Sequence, residues 1–358
     1  MPHSIAEIAR LTGFDAAGNG ALEVSGCAEP AHAGPGDLAL AMNASYGDAL
    51  GQGDARAAVV WPGADWQALG LEAALYAPRA RVALAAIGEV FEVPLELPAG
   101  IHPMAAIDPT AEIGEGAAIG AFVVVGSRAV IGTGARIASH VSIGEDAAIG
   151  ADALLHSGVR IGARVRIGDR FVAQPNAVIG GDGFSFVTPE RGSVESAKAT
   201  GAVAADARNT GLRRIASLGS VEIGDDVEIG SVSCVDRGTI ADTTIGSGTK
   251  IDNLVQIGHN VRIGKLCLIC GEVGLAGSVR IGDRVVLGGK CGIADQIQIG
   301  DDTVIGAGGM VGSNVPARSV MLGVPAVPRE VAHRQFMAIR RLPRLVEPVR
   351  EMRARLGM

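Results

Sequence analysis

One feature bounds what this chain can fold into: from Ile101 onward, an aliphatic residue returns at every sixth position. The series is Ile101, Ile107, Ile113, Ile119, Val125, Ile131, Ile137, Ile143, Ile149, Leu155, Ile161, Ile167, Ala173 and Ile179; only Ala173 is not a large aliphatic. Four residues after each stands mostly a small or β-branched residue (Ala105, Ala111, Ala117, Val123, Ala129), and Gly most often follows the aliphatic. The register is lost over 180–220. It resumes at Ile223, Ile229 and Val235, slips near "DRGTIADTT", and runs on from Ile245 to Val311. A period of six is neither helical nor a plain alternating strand. It fits a short strand plus a turn as one side of a prism, with three hexads in each coil of about 18 residues. The aliphatic residue points inward, the small one fills the space beside it, and Gly eases the corner. Stacked coils then bury one continuous column.

Composition agrees with many tight corners: 52 glycines, and aromatics at only 3%. With 358 residues there is room for more than one domain. A net charge of -7 argues against general nucleic-acid binding. There is no long apolar run, and "MPHSIAEIAR" lacks a charged start followed by an apolar stretch. The sequence therefore reads as cytoplasmic, with no integral membrane segment. Cys27, Cys234, Cys267, Cys270 and Cys291 are an odd, scattered set that fits reduced thiols.

The flanks lack the repeat. Residues 1–98 read as a small α/β domain. Ser4 stands three residues before Glu7, a capping-box spacing ahead of a short helix, and "DARAAVVW" and "ARVALAAIGEVF" look like a strand and a helix. "EVPLELPAGIHP", with three prolines, reads as the linker. The solenoid is assigned to 99–315, with its excursion at 180–220, and 316–358 to a helical extension interrupted at Pro343 and Pro348. From Arg329 on, that tail carries eight arginines (329, 334, 340, 341, 344, 350, 353, 355) against three glutamates. It is either a solvated helix face or a dock for an acidic partner.

Against this regular background "KIDNLVQIGHNVRIG", residues 250–264, crowds Asp252, Asn253, Gln256, His259 and Asn260 into one run. One coil above His259 lies Gly277. Paired strands lie about 4.8 Å apart, which brings a Gly277 N–H close to the imidazole. A base beside an exposed backbone donor is the minimal equipment for acyl transfer. Asp252, in the preceding hexad, is positioned to orient the ring. The other six histidines (His3, His32, His102, His140, His156, His333) read as structural or surface residues. Cys267-x-x-Cys270 has no second pair to complete a zinc site, and no histidine set repeats at coil spacing, so no metal is expected. "GGDGFSF" at 180–186 lacks the Lys-Ser/Thr ending of a P-loop and reads as a cleft wall.

Taken together, "GGDGFSF", "VDRG" at 235–238, "IDNLVQIGHNV" at 251–261 and "GVPA" at 323–326 resemble the UDP-3-O-(3-hydroxyacyl)glucosamine N-acyltransferases of lipid A biosynthesis. The resemblance implies a left-handed parallel β-helix (a hexapeptide-repeat solenoid), mainly β, assembled as a homotrimer. It implies transfer of a 3-hydroxyacyl chain from acyl carrier protein, on its 4'-phosphopantetheine and with no tightly bound cofactor, to the 2-amine of a UDP-glucosamine derivative. His259 would be the general base, Gly277 the oxyanion donor and Asp252 its partner. Gln256 and Asn253 would contact substrate, and Asn43 and Tyr46 of "DLALAMNASY" would hold the uridine end. Arg340, Arg341 and Arg344 would dock the carrier protein. The chain departs from the family pattern at Leu40, where an aromatic stacks on uracil, at Gln296, where a second histidine is usual, and in "RIASLG" at 214–219. A paralogue acting on a related nucleotide sugar, an O-acyltransferase of the same pathway (a family that lacks the N-terminal domain), a coenzyme A-dependent acetyltransferase and a catalytically silent binding solenoid are the alternatives.

Overall fold

The structure, a computed structural model, describes residues 2–323 and 326–357; Val324 and Pro325 of the "GVPA" motif lie outside them. The chain divides into two compact units, Met1–Glu96 and Leu97–Met358.

In the first unit the Ser4 hydroxyl accepts the Glu7 N–H (3.1 Å) and starts the helix Ile5–Thr12, which ends at Gly13 in the left-handed conformation (φ 72°). Strands Gly26–Ala28, Asp37–Ala41, Ala57–Val60 and Ala73–Tyr76 pair in parallel, and Asp15–Gly18 adds an antiparallel edge. Strands covered on both faces read as continuous apolar runs, as "AAVV" at 57–60 does. Ile5, Ile8, Leu38, Val59, Leu75, Ala83 and Ile87 form one core cluster, which includes residues of the helix Ala80–Phe91. The opposite cluster is built from Ala39, Ala41, Ala58 and Val60 with the half-buried Trp61, Trp66 and Tyr76.

In the second unit each hexad becomes a two-residue strand and a corner. Strands one coil apart pair in parallel and in register: Ile119 with Ile137, Val125 with Ile143, Ile131 with Ile149. Three faces of eleven, ten and nine strands result, met in that order along the chain. From Ile119 to Ile305 every inward residue of the six-residue series is at most 6% exposed. Each buried Ile, Leu or Val contributes about 1.5–3 kcal/mol, so the column is the main source of the unit's stability. At the start of the column Ile101 is 49% exposed, because only one coil covers it.

The corner glycines act differently from the expectation. The left-handed backbone falls on a residue further along the corner, often not glycine: Arg128, His140, Asp146, Asn260, Ser278. The Gly directly after the aliphatic is needed because the next coil passes so close. A Cβ on Gly132 would stand 2.4 Å from the Gly150 carbonyl carbon.

Two irregularities interrupt the stack, and both leave from the same edge. After Val178–Gly181 on the ten-stranded face, the chain departs through a hairpin (Phe186–Val187 with Arg213–Arg214) and a helix, Ser193–Thr200. It re-enters at Val221–Ile223 on the nine-stranded face. One coil on, between Cys234–Asp236 and Thr243–Ile245, four extra residues stretch the coil, so that Val221 pairs with Thr243 rather than with a residue 18 further along.

The tail is one helix, Arg329–Arg355, running through Pro343 and Pro348 rather than stopping at them. Each proline forfeits one backbone hydrogen bond and crowds the carbonyl four residues back, at Ile339 and Arg344, but the residues around them still adopt the helix. No residue of this helix is buried.

Candidate active site

The edge that sheds both irregularities carries His259. The ring lies in a cleft of ≈ 500 Å³ lined by Asp182, Phe184 and Arg214 from the excursion and by Asp236, Gln256 and Gly277 from the coils. Gly183 packs on the imidazole; a Cβ there would stand 2.7 Å from the His259 Cβ. The Ser217 hydroxyl accepts the Gly183 N–H (3.1 Å) and holds this wall in place. Register puts Gln256 beside Gly274 and Ile257 beside Leu275, so Gly277 stands directly over the ring. A Cβ on Gly277 would be 2.7 Å from Nε2 and 2.6 Å from Cε1. Only glycine fits.

The hydrogen bonds fix which ring nitrogen is the base. Asn260 Oδ1 accepts the Thr239 N–H (3.1 Å), and Asn260 Nδ2 donates to the Ala241 carbonyl (2.8 Å). These two backbone partners leave one orientation for the amide. Its Oδ1 then faces His259 Nδ1 at 3.0 Å, so Nδ1 carries the proton and donates. Nε2 is left with a free lone pair under Gly277. The four-residue insertion supplies both of the backbone partners, Thr239 and Ala241. The Gly277 N–H has no hydrogen-bond partner among the described residues.

The residues singled out in the sequence do not all meet here. His259, Gly277 and Gln256 do. Asp252 and Asn253 do not: seven residues in a six-residue period carry Asp252 back to the preceding corner. There Asp252 Oδ1 accepts the Asn253 N–H (2.8 Å) and Asn253 Oδ1 accepts the Ser231 N–H (2.6 Å). The carboxylate that faces the ring's surroundings is Asp236 of "VDRG". Burial pushes its carboxyl up from the usual range; the Gln256 side chain and the charge of His259 pull it back down, and Asp182 adds to the rise. Gln296 sits at a corner one coil beyond, its N–H on the Gly277 carbonyl (3.0 Å).

Beside the cleft an apolar trough of ≈ 510 Å³ runs along the ten-stranded face. Gly274 and Gly292 supply its floor by having no side chain, and the exposed Met310 closes its far end, with Cε 2.9 Å from where a Gly292 Cβ would be. In the first unit Asn43 caps the short helix Ala44–Gly47 by accepting the Tyr46 N–H (3.1 Å). Tyr46 is exposed, and Leu40 packs toward the Ile5–Ile8 core. Asn43 and Trp61 both follow the carboxyl ends of parallel strands, the usual place for a ligand crevice in such a sheet. Sequence reading passed over Trp61. Arg340, Arg341 and Arg344 lie exposed on the terminal helix.

Comparison with known proteins agrees with the repeat architecture. Residues 242–277 match the bacterial transferase hexapeptide pattern, 278–313 the hexapeptide repeat of succinyl-transferase and 101–183 the GMPPB C-terminal domain. A protein of Ruegeria pomeroyi named UDP-3-O-acylglucosamine N-acyltransferase is 58% identical over 349 residues, 98% of this chain and 96% of that one. The chain belongs to the UDP-3-O-acylglucosamine N-acyltransferase family. A member from Paracoccus denitrificans is also 58% identical, over 277 residues that cover 77% of this chain and 76% of its own. Among solved structures, an Arabidopsis UDP-N-acetylglucosamine acyltransferase superposes with a TM-score of 0.51 at 21% identity, over 62% of this chain and 71% of its own. The fold is thus the left-handed parallel β-helix of these acyltransferases.

Proposed function

We propose that this chain transfers a 3-hydroxyacyl group from acyl carrier protein to the 2-amine of a UDP-3-O-acylglucosamine. The observation that carries the reading is the bare Nε2 of His259 held under an unpartnered Gly277 N–H in a cleft beside an apolar trough. The substrate amine attacks the thioester carbonyl carbon, and a C–N bond forms. His259 Nε2 takes the amine proton. The Gly277 N–H donates to the oxyanion as charge develops. The intermediate collapses, the C–S bond breaks, and the imidazolium returns its proton to the departing sulfur of 4'-phosphopantetheine. Asp236, facing the ring's surroundings, favours the imidazolium form. The acyl chain lies along Gly274 and Gly292 toward Met310. Asn43 and Tyr46 hold the uridine end, and Arg340, Arg341 and Arg344 meet the acidic carrier protein. The working form is a cytoplasmic homotrimer; among the described residues no helix is long and apolar enough to cross a membrane.

The test is acyl transfer by purified protein with 3-hydroxyacyl carrier protein and UDP-3-O-acylglucosamine, comparing wild type with His259→Ala. Amide product from wild type, reduced on the order of 10²- to 10⁴-fold in the variant, supports the assignment. Equal turnover by both removes His259 as base, and no product from wild type removes the acceptor.

A further inference from the structure

The solenoid has a recurrent device for closing the N–H that Gly277 leaves open. At four corners along the edge where the nine-stranded face turns into the eleven-stranded one, the N–H two residues after the inward aliphatic is capped by a carboxylate from the coil above. Ala151 N–H donates to Asp169 (2.8 Å), Asp169 to Asp225 (2.9 Å), Lys265 to Asp283 (2.8 Å) and Asp283 to Asp301 (2.9 Å). Gly277 occupies the equivalent position at its own edge, two residues after Leu275, and the residue one coil above it is Asp295. By the rule of the other four corners, Asp295 should cap Gly277. It does not; its Oδ2 bonds Lys198 Nζ of the excursion helix at 2.8 Å.

The residue before the capped N–H explains the difference. At all four capped corners it is glycine: Gly150, Gly168, Gly264 and Gly282. A Cβ on these would stand 2.4, 2.2, 2.4 and 2.2 Å from the capping carboxylate oxygen. A methyl and a capping carboxylate therefore cannot share the corner. Before Gly277 the residue is Ala276.

We propose that Ala276 is a positioning residue: its methyl bars Asp295 from the Gly277 N–H, and Lys198 gives the displaced carboxylate another partner, so that the donor stays free for the oxyanion. The inference rests on Gly277 as that donor. The methyl is the stronger bar, because steric overlap is absolute, whereas an exposed ion pair such as Lys198–Asp295 contributes little on its own.

The experiment is a substitution series on the full chain: Ala276→Gly, Ala276→Gly with Asp295→Ala, and Ala276→Gly with Lys198→Ala. Two readouts are followed. One is hydrogen exchange at the Gly277 amide, and the other is kcat and KM for acyl transfer. In Ala276→Gly the amide becomes protected. kcat falls on the order of 10²-fold, as for loss of one oxyanion donor, with KM little changed. Adding Asp295→Ala restores both fast exchange and turnover, whereas adding Lys198→Ala deepens the protection. Unchanged exchange in Ala276→Gly overturns the proposal, as does a loss that Asp295→Ala cannot rescue. The exchange readout needs no substrate. Protection that appears and is rescued without any acyl transfer by wild type would sink the functional reading and leave the steric bar standing.

Discussion

At the residue scale the site trades stability for chemistry, and Asp236 shows the sign. Its carboxyl is raised above the ordinary value of 3.8 chiefly by burial. An acid with a raised folded pKa binds its proton more tightly when folded, so stability falls as pH climbs from 3.8 through the folded value. Above that window the cost is constant. Asp236→Asn should therefore raise the melting temperature at pH 7 and give no such gain well below pH 4. The same change removes a negative charge from the surroundings of the imidazolium. kcat should drop about tenfold, the rate equivalent of about 1.4 kcal/mol. Thermal melts at the two pH values with kcat at pH 7 check both halves; a variant that is less stable at neutral pH contradicts the sign. Four cysteines are the converse case. Burial pushes the thiols of Cys267 and Cys291 up, and both are buried, so they favour the protonated form, which suits a core role for Cys267 better than a metal or redox one; the thiols of exposed Cys27 and half-buried Cys234 are raised as well.

At the element scale, what was legible followed the period and what was not followed its breaks. An 18-residue coil puts Gly277 over His259, and the structure has them in contact. Asp236 escaped notice because the four extra residues after it make its strand pair with 256 rather than with a position 18 further on; counting hexads cannot reach across the slip. Asp252 misled for the related reason that nearness in sequence along a prism wall ends at a different corner. The excursion that opens with "GGDGFSF" builds the wall over His259, as its sequence suggested, whereas the four-residue insertion, which read only as a slip in register, anchors Asn260. The terminal helix is a different kind of element. None of its residues is buried, and Arg340, Arg341 and Arg344 stand exposed on it, where they can meet a partner or only water. Reversing Arg340, Arg341 and Arg344 to Glu should raise KM for the acyl carrier protein severalfold and flatten its dependence on salt, with kcat at saturation unchanged. Steady-state kinetics across ionic strength decide this, and an unaltered salt profile would make the tail a solvated face.

At the scale of the assembled molecule, the three faces of the solenoid differ in what they offer. The nine-stranded face projects Arg166, Glu222, Arg262 and Arg280. The ten-stranded face is worn down to Gly274 and Gly292 around the trough. The eleven-stranded face projects a column of Leu268, Val286, Val304 and Val320, stacked coil on coil, with Leu268 49%, Val304 39% and Val320 72% exposed. An aligned apolar stripe of this kind is costly to leave in water and marks a contact surface. Trimers are closed rings in which one face of each subunit meets a different face of the next. In the homotrimer proposed above, the apolar column is the face we expect to pack against a neighbour. Light scattering at micromolar concentration should give three times the 36.2 kDa chain mass. Leu268→Glu with Val286→Glu places two charges on the stripe, where an unpaired charge in a closed contact costs several kcal/mol, and should yield single chains. Hydrogen exchange in the inward column, where those outward residues do not point, should stay slow and show that the monomer is still folded. A wild type that runs as one chain removes the trimer, whereas a double variant that remains trimeric moves the interface to another face.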